Sequence, residues 1–524
     1  MSEAATPASP PAPPVVTTRR VIAFIGMVFG MFMAILDIQI VSASLAEIQA
    51  GLSASAEEIS WVQTAYLIAE VVMIPLSGFL GRMISTRYLF AASAAGFTLM
   101  SVMCAQAGSI EEMIIWRALQ GFIGGGMIPS VFSAAFSIFP RDKQSIISPI
   151  IGLVATLAPT IGPTIGGYLT DLFSWHWLFL VNVVPGILVT LSAWFLIDFD
   201  KPNMSLWKTF DWWGLAGMAG MLGGLEYVLE EGPAKDWFQD ERIINCGIIA
   251  IVGSTLFFFR AFMATTPIVD LKAFSNRNFA AGCLASFTIG IGLYGLTYLY
   301  PVFLARVRGY TSLEIGTTMF LTGVAMFLTA PIAGRLSAKL DPRIMLAIGI
   351  FGFAIGTFLA STLTKDWGFH ELIWPQIFRG VSLMFCMVPI NNVALGTLPM
   401  DRLKNASGLF NLTRNLGGAV GLALINTVLN DRWDLHMQRL RDSLVWGRQV
   451  ADETLANITL NMSALGADAG LAATKQMAGM VRQEALVLAL GDVFLALTFV
   501  FLLMLVVLPA IEKASAPKAA GGGH

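Results

Sequence analysis

Seven charged side chains sit inside stretches that are otherwise apolar: Asp37, Glu70, Arg117, Glu226, Arg379, Arg414 and Asp492. A charge in hydrocarbon costs at least ~2.5–3.5 kcal/mol on insertion scales, so each needs a partner, a water-filled cavity or a task. Asp37 is the first candidate for proton exchange, because a carboxylate partly desolvated in a central cavity can load and release a proton as access alternates. Its other reading is a structural hydrogen bond to a neighbouring helix. Glu70 lies about ten residues into its apolar run, near mid-membrane depth at ~1.5 Å per residue. It can bind protons, pair with Arg117 or attract a cation, and Arg117 can tune a carboxylate or serve structure alone. Glu226 stands in a separate apolar run, Arg379 and Arg414 read as stabilising groups, and Asp492 as interfacial.

Polar and aromatic residues in the same stretches supply candidates for a substrate cavity: Gln39, Gln120, Glu226, Tyr294, Tyr298, Asn391 and Asn392. For the asparagines, helix–helix bonding is the commoner use. Tyr300, Met326 and Phe327 add apolar surface. Other chemistries find no support. GIGLYG at 290–295 fits G-x-G-x-x-G but lies within an apolar run, with no preceding strand, which excludes dinucleotide binding. No G-x-x-x-x-G-K-[ST] occurs, the four histidines are scattered, and no nucleophile–base pair emerges, so neither a metal nor an enzyme is expected. The expected cofactor is none, with a proton gradient as the energy source. Cys104, Cys246, Cys283 and Cys386 fall in apolar runs and read as small buried hydrophobes.

The elements that hold these residues follow from composition. The 524-residue chain is 56% hydrophobic and 13% charged, with a mean hydropathy of +0.71. A soluble domain carries ~25% charge, so this is an all-α polytopic membrane protein. Its near-zero net charge gives no reason to expect nucleic-acid binding. Fourteen apolar stretches of about 20 residues suffice to cross a bilayer, near 20–44, 59–81, 87–107, 111–138, 145–171, 176–198, 211–230, 242–263, 278–304, 313–334, 342–363, 371–398, 405–429 and 485–510. Lys and Arg collect in alternate short loops, including Arg82, Arg87, Lys201, Lys339 and Lys404, which predicts both termini in the cytoplasm. Residues 1–18 are Pro/Ala-rich and expected to be disordered, and Arg19–Arg20 precede a retained first span.

A repeat divides the chain. GFLGRMISTR at 78–87 pairs with GRLSAKLDPR at 334–343, and RALQG at 117–121 with QIFRG at 376–380, at offsets of 256 and 259. Six spans occupy about 180 residues here, so the surplus has the size of an inserted helical pair. The expected organisation is a six-helix half at 19–200, a two-helix linker at 201–270, a second six-helix half at 271–510 and a cytoplasmic tail at 511–524. Parallel repeats with a site at their interface are a transporter architecture. The last outside loop, 430–484, is long and polar with helical periodicity, and reads as a solvated cap or as a docking surface. The stretch 152–167, GLVATLAPTIGPTIGG, loads a span with residues that break soluble helices. Its small residues predict a close-packed seam at the interface between halves.

This ordered set of motifs resembles the major facilitator superfamily, in particular its fourteen-span drug:proton antiporters. Gly152, Pro159, Gly162, Pro163, Gly166 and Gly167 match the antiporter motif of the fifth span. LDIQIVSASL at 36–45 resembles the first-span motif around Asp37, WVQTAYLIAE at 61–70 the second-span opening, RALQG the fourth-span arginine, and NLTRNLGGAVG at 411–421 the thirteenth-span pattern. Gly78 and Arg82, with Gly334 and Lys339 in the repeat, match the gating loop. Met83 and Ser85 stand where that loop has Arg and Gly, and Glu70 where many relatives are neutral. The resemblance implies two six-helix halves plus two inserted helices and proton-coupled multidrug efflux of amphipathic compounds by alternating access, with Asp37, Glu70 and Arg117 coupling the proton. It further implies a bacterial inner-membrane location, and partnership with a periplasmic adaptor and an outer-membrane channel. A dedicated exporter of one metabolite or siderophore, and a membrane sensor without flux, are the alternatives.

Overall fold

The computed structural model describes residues 16–140, 143–264, 267–399, 402–444, 448–462, 468–506 and 508–511. The segments expected to be disordered at 1–18 and cytoplasmic at 511–524 lie almost wholly outside the described residues. Fourteen long helices carry the fold: α1 Thr18–Ala43, α2 Ala56–Ile84, α3 Thr86–Ala105, α4 Ile110–Ile138, α5 Gln144–Leu172, α6 Val183–Leu196, α7 Trp212–Glu231, α8 Glu241–Met263, α9 Arg277–Arg306, α10 Ser312–Ser337, α11 Pro342–Ala360, α12 Phe369–Leu395, α13 Leu403–Asp442 and α14 Ala469–Leu505. Helices thus stand at all fourteen expected places, and the described residues contain no strand. Twelve candidate spans are long and apolar enough to cross a membrane. The two places outside that set are α7, whose window carries glycines and Glu226, and the polar-ended α13.

The repeat is visible in the way helices start. Ser55 and Glu58 form a capping box on α2, with Ser55 N donating to Glu58 Oε2 at 2.9 Å and Glu58 N to Ser55 Oγ at 3.2 Å. Thr311 and Glu314, 256 residues on, do the same for α10. Glu112 and Glu371, 259 apart, each accept from a backbone N–H at their helix start, on Gly108 and Gly368. The packing repeats too. A Cβ on Gly121 would lie 2.3 Å from Tyr66 O, and one on Gly380 would lie 2.6 Å from Thr322 O. Tyr66 and Thr322 are again 256 apart. Each half therefore presses its fourth helix onto its second at a glycine where no side chain fits.

The halves meet through α5 against α10 and α12, and through α13 against α2 and the C-terminal part of α4. The α5 helix runs unbroken through Pro149, Pro159 and Pro163. The expected seam needs correction. Gly162 and Gly166 face Gln39 and the Ile40 carbonyl of α1, inside the first half, where a Cβ would approach to 2.4 and 2.9 Å. Gly152 faces the second half, 3.3 Å from Met387, while α10 contributes its own glycines, Gly316 and Gly323, against Thr164 and Leu157. The motif thus welds α5 to α1, and other side chains of α5 make the contact between halves.

The inserted pair packs on itself through Gly217, Gly224 and Gly253, and α7 then lies across α2 and α13. It touches both halves: Thr64 donates to Glu231 Oε1 at 3.3 Å, and Trp237 Nε1 to Thr427 Oγ1 at 3.1 Å. The segment 430–484 differs from the expected loop. Here α13 continues to Asp442 and α14 begins at Ala469, with a helix Gln449–Asn461 beside them. The extension is braced by His436 Nε2 at 2.9 Å from Asp492 Oδ2 and Arg432 Nε at 3.6 Å from the same oxygen. Asp492, expected at the interface, anchors this stalk.

Candidate functional site

The first half encloses a polar cluster. Asp37 on α1 and Arg117 on α4 are both wholly buried, with Arg117 Nη1 2.7 Å from Asp37 Oδ2. The same Nη1 donates to Gln120 Oε1 at 2.7 Å, and Arg117 Nε donates to the Val62 carbonyl of α2 at 3.2 Å. Asp37 Oδ1 accepts from Asn182 Nδ2 at 2.6 Å and from Gln120 Nε2 at 3.3 Å. Ser101 on α3 completes the set by accepting from Gln120 at 2.8 Å. The guanidinium lies over the Tyr66 ring, 4.2 Å from its centroid. One carboxylate thereby ties together α1, α2, α3, α4 and the approach to α6. Breaking a buried pair by removing one partner is costly, because a buried charge is left behind.

This geometry revises two sequence expectations. Asp37 is sealed inside the first half and does not line a central cavity. Gln120, expected to contact substrate, is spent on Arg117, Asp37 and Ser101, and is wholly buried. Asn182, Ser101 and Tyr66 were not singled out from sequence; Asn182 alone carried a signal, a lone amide within WLFLVNVVP.

The second half repeats the frame without the acid. Its equivalents of Arg117 and Gln120 are Gln376 and Arg379, the same two residue types exchanged. Arg379 is 1% exposed and donates to Thr297 Oγ1, while its Nε and Nη1 have no partner among the described residues. Gln376 bonds Thr322 and lies 3.2 Å from Met319 Sδ. Leu293 and Tyr294 stand near the position of Asp37.

The remaining candidates lie outside the Asp37 cluster. Glu70 is 3% exposed, and its Oε1 accepts no hydrogen bond among the described residues. Tyr294 donates to Asn415 Oδ1 at 3.3 Å, and Asn391 Oδ1 accepts from Arg414 at 3.5 Å. Asn392 accepts from Ser148 Oγ at 2.6 Å, an α5–α12 tie that engages it in structure. Gln39 is half-buried against Gly162. Glu226 lies on the inserted helix α7 and Tyr298 on α9.

At the basic end, α13 meets α2. A Cβ on Gly78 would lie 2.8 Å from Lys404 O, so this glycine of the gating loop permits close approach of the two halves. The cation there is Lys404, which bonds Asp200 and donates to Gly81 O at 2.8 Å. Asp200 also accepts from Thr86 N at 2.8 Å and Ser85 Oγ at 2.9 Å. Burial alone would raise its carboxyl, but the Lys404 ammonium and the hydrogen bonds hold it below the usual carboxylate range. Arg82 instead stacks over Phe79 at 5.7 Å, Gly334 is buried and Lys339 is exposed. Ser85, where the family pattern has glycine, adopts φ 79° and ψ 148°, a conformation that favours glycine.

Comparison with known proteins fixes the family. The sequence profile of the Major Facilitator Superfamily matches residues 27–422. The chain belongs to the major facilitator superfamily. Within it, the chain is 41% identical to the colistin resistance protein EmrB of Acinetobacter baumannii, over 91% of this chain and 93% of that protein. It is 28% identical to the multidrug export protein EmrB of Escherichia coli K12, over 97% of this chain and 98% of that one. The fatty acid resistance protein FarB of Neisseria gonorrhoeae is also 28% identical, over 94% and 96%. Among solved structures of this superfamily fold, the human organic anion transporter MFSD10 superposes with a TM-score of 0.60 at 12% identity, covering 95% of this chain and all of that one. The chain is accordingly a multi-pass membrane transporter, EmrB-like along most of its length.

Proposed function

We propose that this chain is a proton-coupled multidrug exporter, moving amphipathic toxic compounds across the bacterial inner membrane by alternating access. The observation that carries the reading is the buried Asp37–Arg117 cluster, present in one half and without a carboxylate counterpart in the other. Deprotonated, Asp37 accepts from Arg117, Gln120 and Asn182. A proton on Asp37 removes the charge that holds Arg117 and converts one accepting oxygen into a donor, so the cluster must rearrange. Because Arg117 also binds the Val62 carbonyl, and α2 faces α13, the rearrangement reaches the contact between halves. Glu70 shares in loading the proton. Relatives named for colistin, multidrug and fatty acid resistance support export as the direction.

The stalk formed by the ends of α13 and α14 is the proposed docking surface for a periplasmic adaptor leading to an outer-membrane channel. Both termini are then cytoplasmic. The test is drug efflux from proteoliposomes under an imposed pH gradient. Asp37→Asn is expected to abolish gradient-driven export, and intact export by that variant refutes the coupling role. A dedicated single-metabolite exporter would give a deletion strain sensitive to one compound class instead of many.

A further inference from the structure

The outer face of the first half carries a groove that no side chain fills. The helices that form it, α3 and α6, are pressed together at Gly186, where a Cβ would collide with Thr98. Toward their basic end a cavity of about 580 Å³ lies between them. Residues four and three apart on α3, Tyr88, Ala92 and Ala95, give one wall, and Trp194 of α6 stands in the other. All four are exposed, so the groove opens outward. The Tyr88 and Trp194 rings meet edge to face with centroids 5.7 Å apart. Pro202 and Met204, on the connector that follows α6, also line it. The volume lies within the ~300–1,000 Å³ of small-molecule sites, and the wall is apolar apart from Thr190 and the polar tips of the two rings.

Beside the two rings stands Arg87. Its guanidinium carbon is 5.4 Å from the Trp194 ring centroid and 5.7 Å from that of Tyr88. The side chain forms no ion pair or hydrogen bond among the described residues, and its Nε is shut off from solvent. The acids at this end are committed to other cations. Asp198 is bonded by Arg19 and Arg20 at 3.7 and 3.1 Å, and Asp200 by Lys404. Lys201, exposed and next to Pro202, adds positive charge. A guanidinium without a counter-ion, held over aromatic faces beside an apolar groove, matches a phosphate joined to a hydrocarbon chain. Arginine pairs with two phosphate oxygens at once, and tyrosine and tryptophan sit at headgroup level in a bilayer. Two cations without acids favour a headgroup of net negative charge over a zwitterionic one. We infer that this groove is a selective site for an anionic phospholipid, with an acyl chain along Ala92 and Ala95 and the phosphate on Arg87. The site requires only that α3 and α6 span a membrane. Through the connector it adjoins Asp200 and the Lys404 tie between the halves.

The experiment measures the affinity of the full chain in detergent for its first bound lipid by native mass spectrometry. The probes are phosphatidylglycerol and phosphatidylcholine with identical acyl chains. The wild type is expected to bind phosphatidylglycerol about fivefold more tightly, and Arg87→Gln to lose that preference. Arg87→Lys, which keeps the charge, is expected to retain most of it. Ala92→Leu/Ala95→Leu fills the groove from exposed positions, leaves Arg87 in place, and is expected to weaken phosphatidylglycerol binding by a similar factor. Lys208→Gln removes an exposed cation of the same connector that lies outside the groove, and is expected to change nothing. Equal affinity of the wild type for both lipids overturns the site, as does an unchanged preference in Arg87→Gln. Unchanged binding by the groove-filling variant overturns it too. A loss in Lys208→Gln as large as that in Arg87→Gln traces the preference to general surface charge, and an equal loss in Arg87→Lys traces it to ring stacking; either refutes the assignment.

Discussion

The two halves share a frame and differ in chemistry. In the first, Arg117 meets a carboxylate, the Gln120 amide oxygen and the Val62 carbonyl; in the second, Arg379 meets Thr297 and a tyrosine face. Yet Gly121 and Gly380 close on the carbonyls of Tyr66 and Thr322 in the same way, and both second helices begin with a capping box. Backbone contacts and caps preserve the architecture of each half, whereas the side chains of the fourth helix are free to diverge. With Leu293 and Tyr294 near the position of Asp37, and Arg–Gln exchanged for Gln–Arg, the titratable cluster of the first half has a counterpart without an acid.

The largest expected difference lies in the two arginines. Arg117→Met leaves Asp37 buried and unpaired, and should cost ~3–5 kcal/mol in thermal-unfolding or denaturant titrations. Arg379→Met removes a buried charge that lacks an acid, so it should be neutral or stabilising in the same assay. A substantial loss for Arg379→Met would show that the second half holds a partner for it. Next come the glycines. Gly121→Ala and Gly380→Ala should each cost ~1–3 kcal/mol by overpacking a closed contact, and unequal losses would break the claim of a common frame. Smaller still, Ser55→Ala and Thr311→Ala should each cost ~1 kcal/mol by removing a cap, again in parallel.

The smallest effect concerns the tie between the halves. Because the Asp200 carboxyl is held below its usual range, its bond to Lys404 contributes stability above the unfolded value and loses it only as pH falls through the lowered one. The accessibility of a cysteine placed at Ser407 should therefore be unchanged between about pH 5 and 8 in the parent chain. Asp200→Asn should raise its labelling rate only modestly, consistent with a partly exposed pair.

Much of the frame was legible. Hydropathy placed helices at all fourteen positions, and the loop repeat divided the chain into its halves. Charged residues in apolar runs singled out Asp37, Glu70 and Arg117, but the sequence offered Glu70 as a partner for Arg117, and the fold gives that place to Asp37. The destination of Gln120 was not legible, because an amide on a helix carries no mark of which face it occupies until its neighbours are placed. Asp200 was missed because a carboxylate in a connector resembles any solvated one; only folding brings it to Lys404. The proline-rich α5 misled for a related reason. Its glycines report close packing without naming the partner, and that partner proved to be α1.

The unbroken run of α13 has a mechanical consequence. Forty residues at ~1.5 Å each make a rod of about 60 Å, roughly twice the ~30 Å hydrocarbon core. Its basic end is gripped by α2 near Gly78, and its distal part is stiffened by the ties to Asp492. A rigid tilt of about 10° about the gripped end displaces the tip by about 10 Å. The helix is thus a lever arm that turns a small internal reorientation into a broad sweep of the outermost surface.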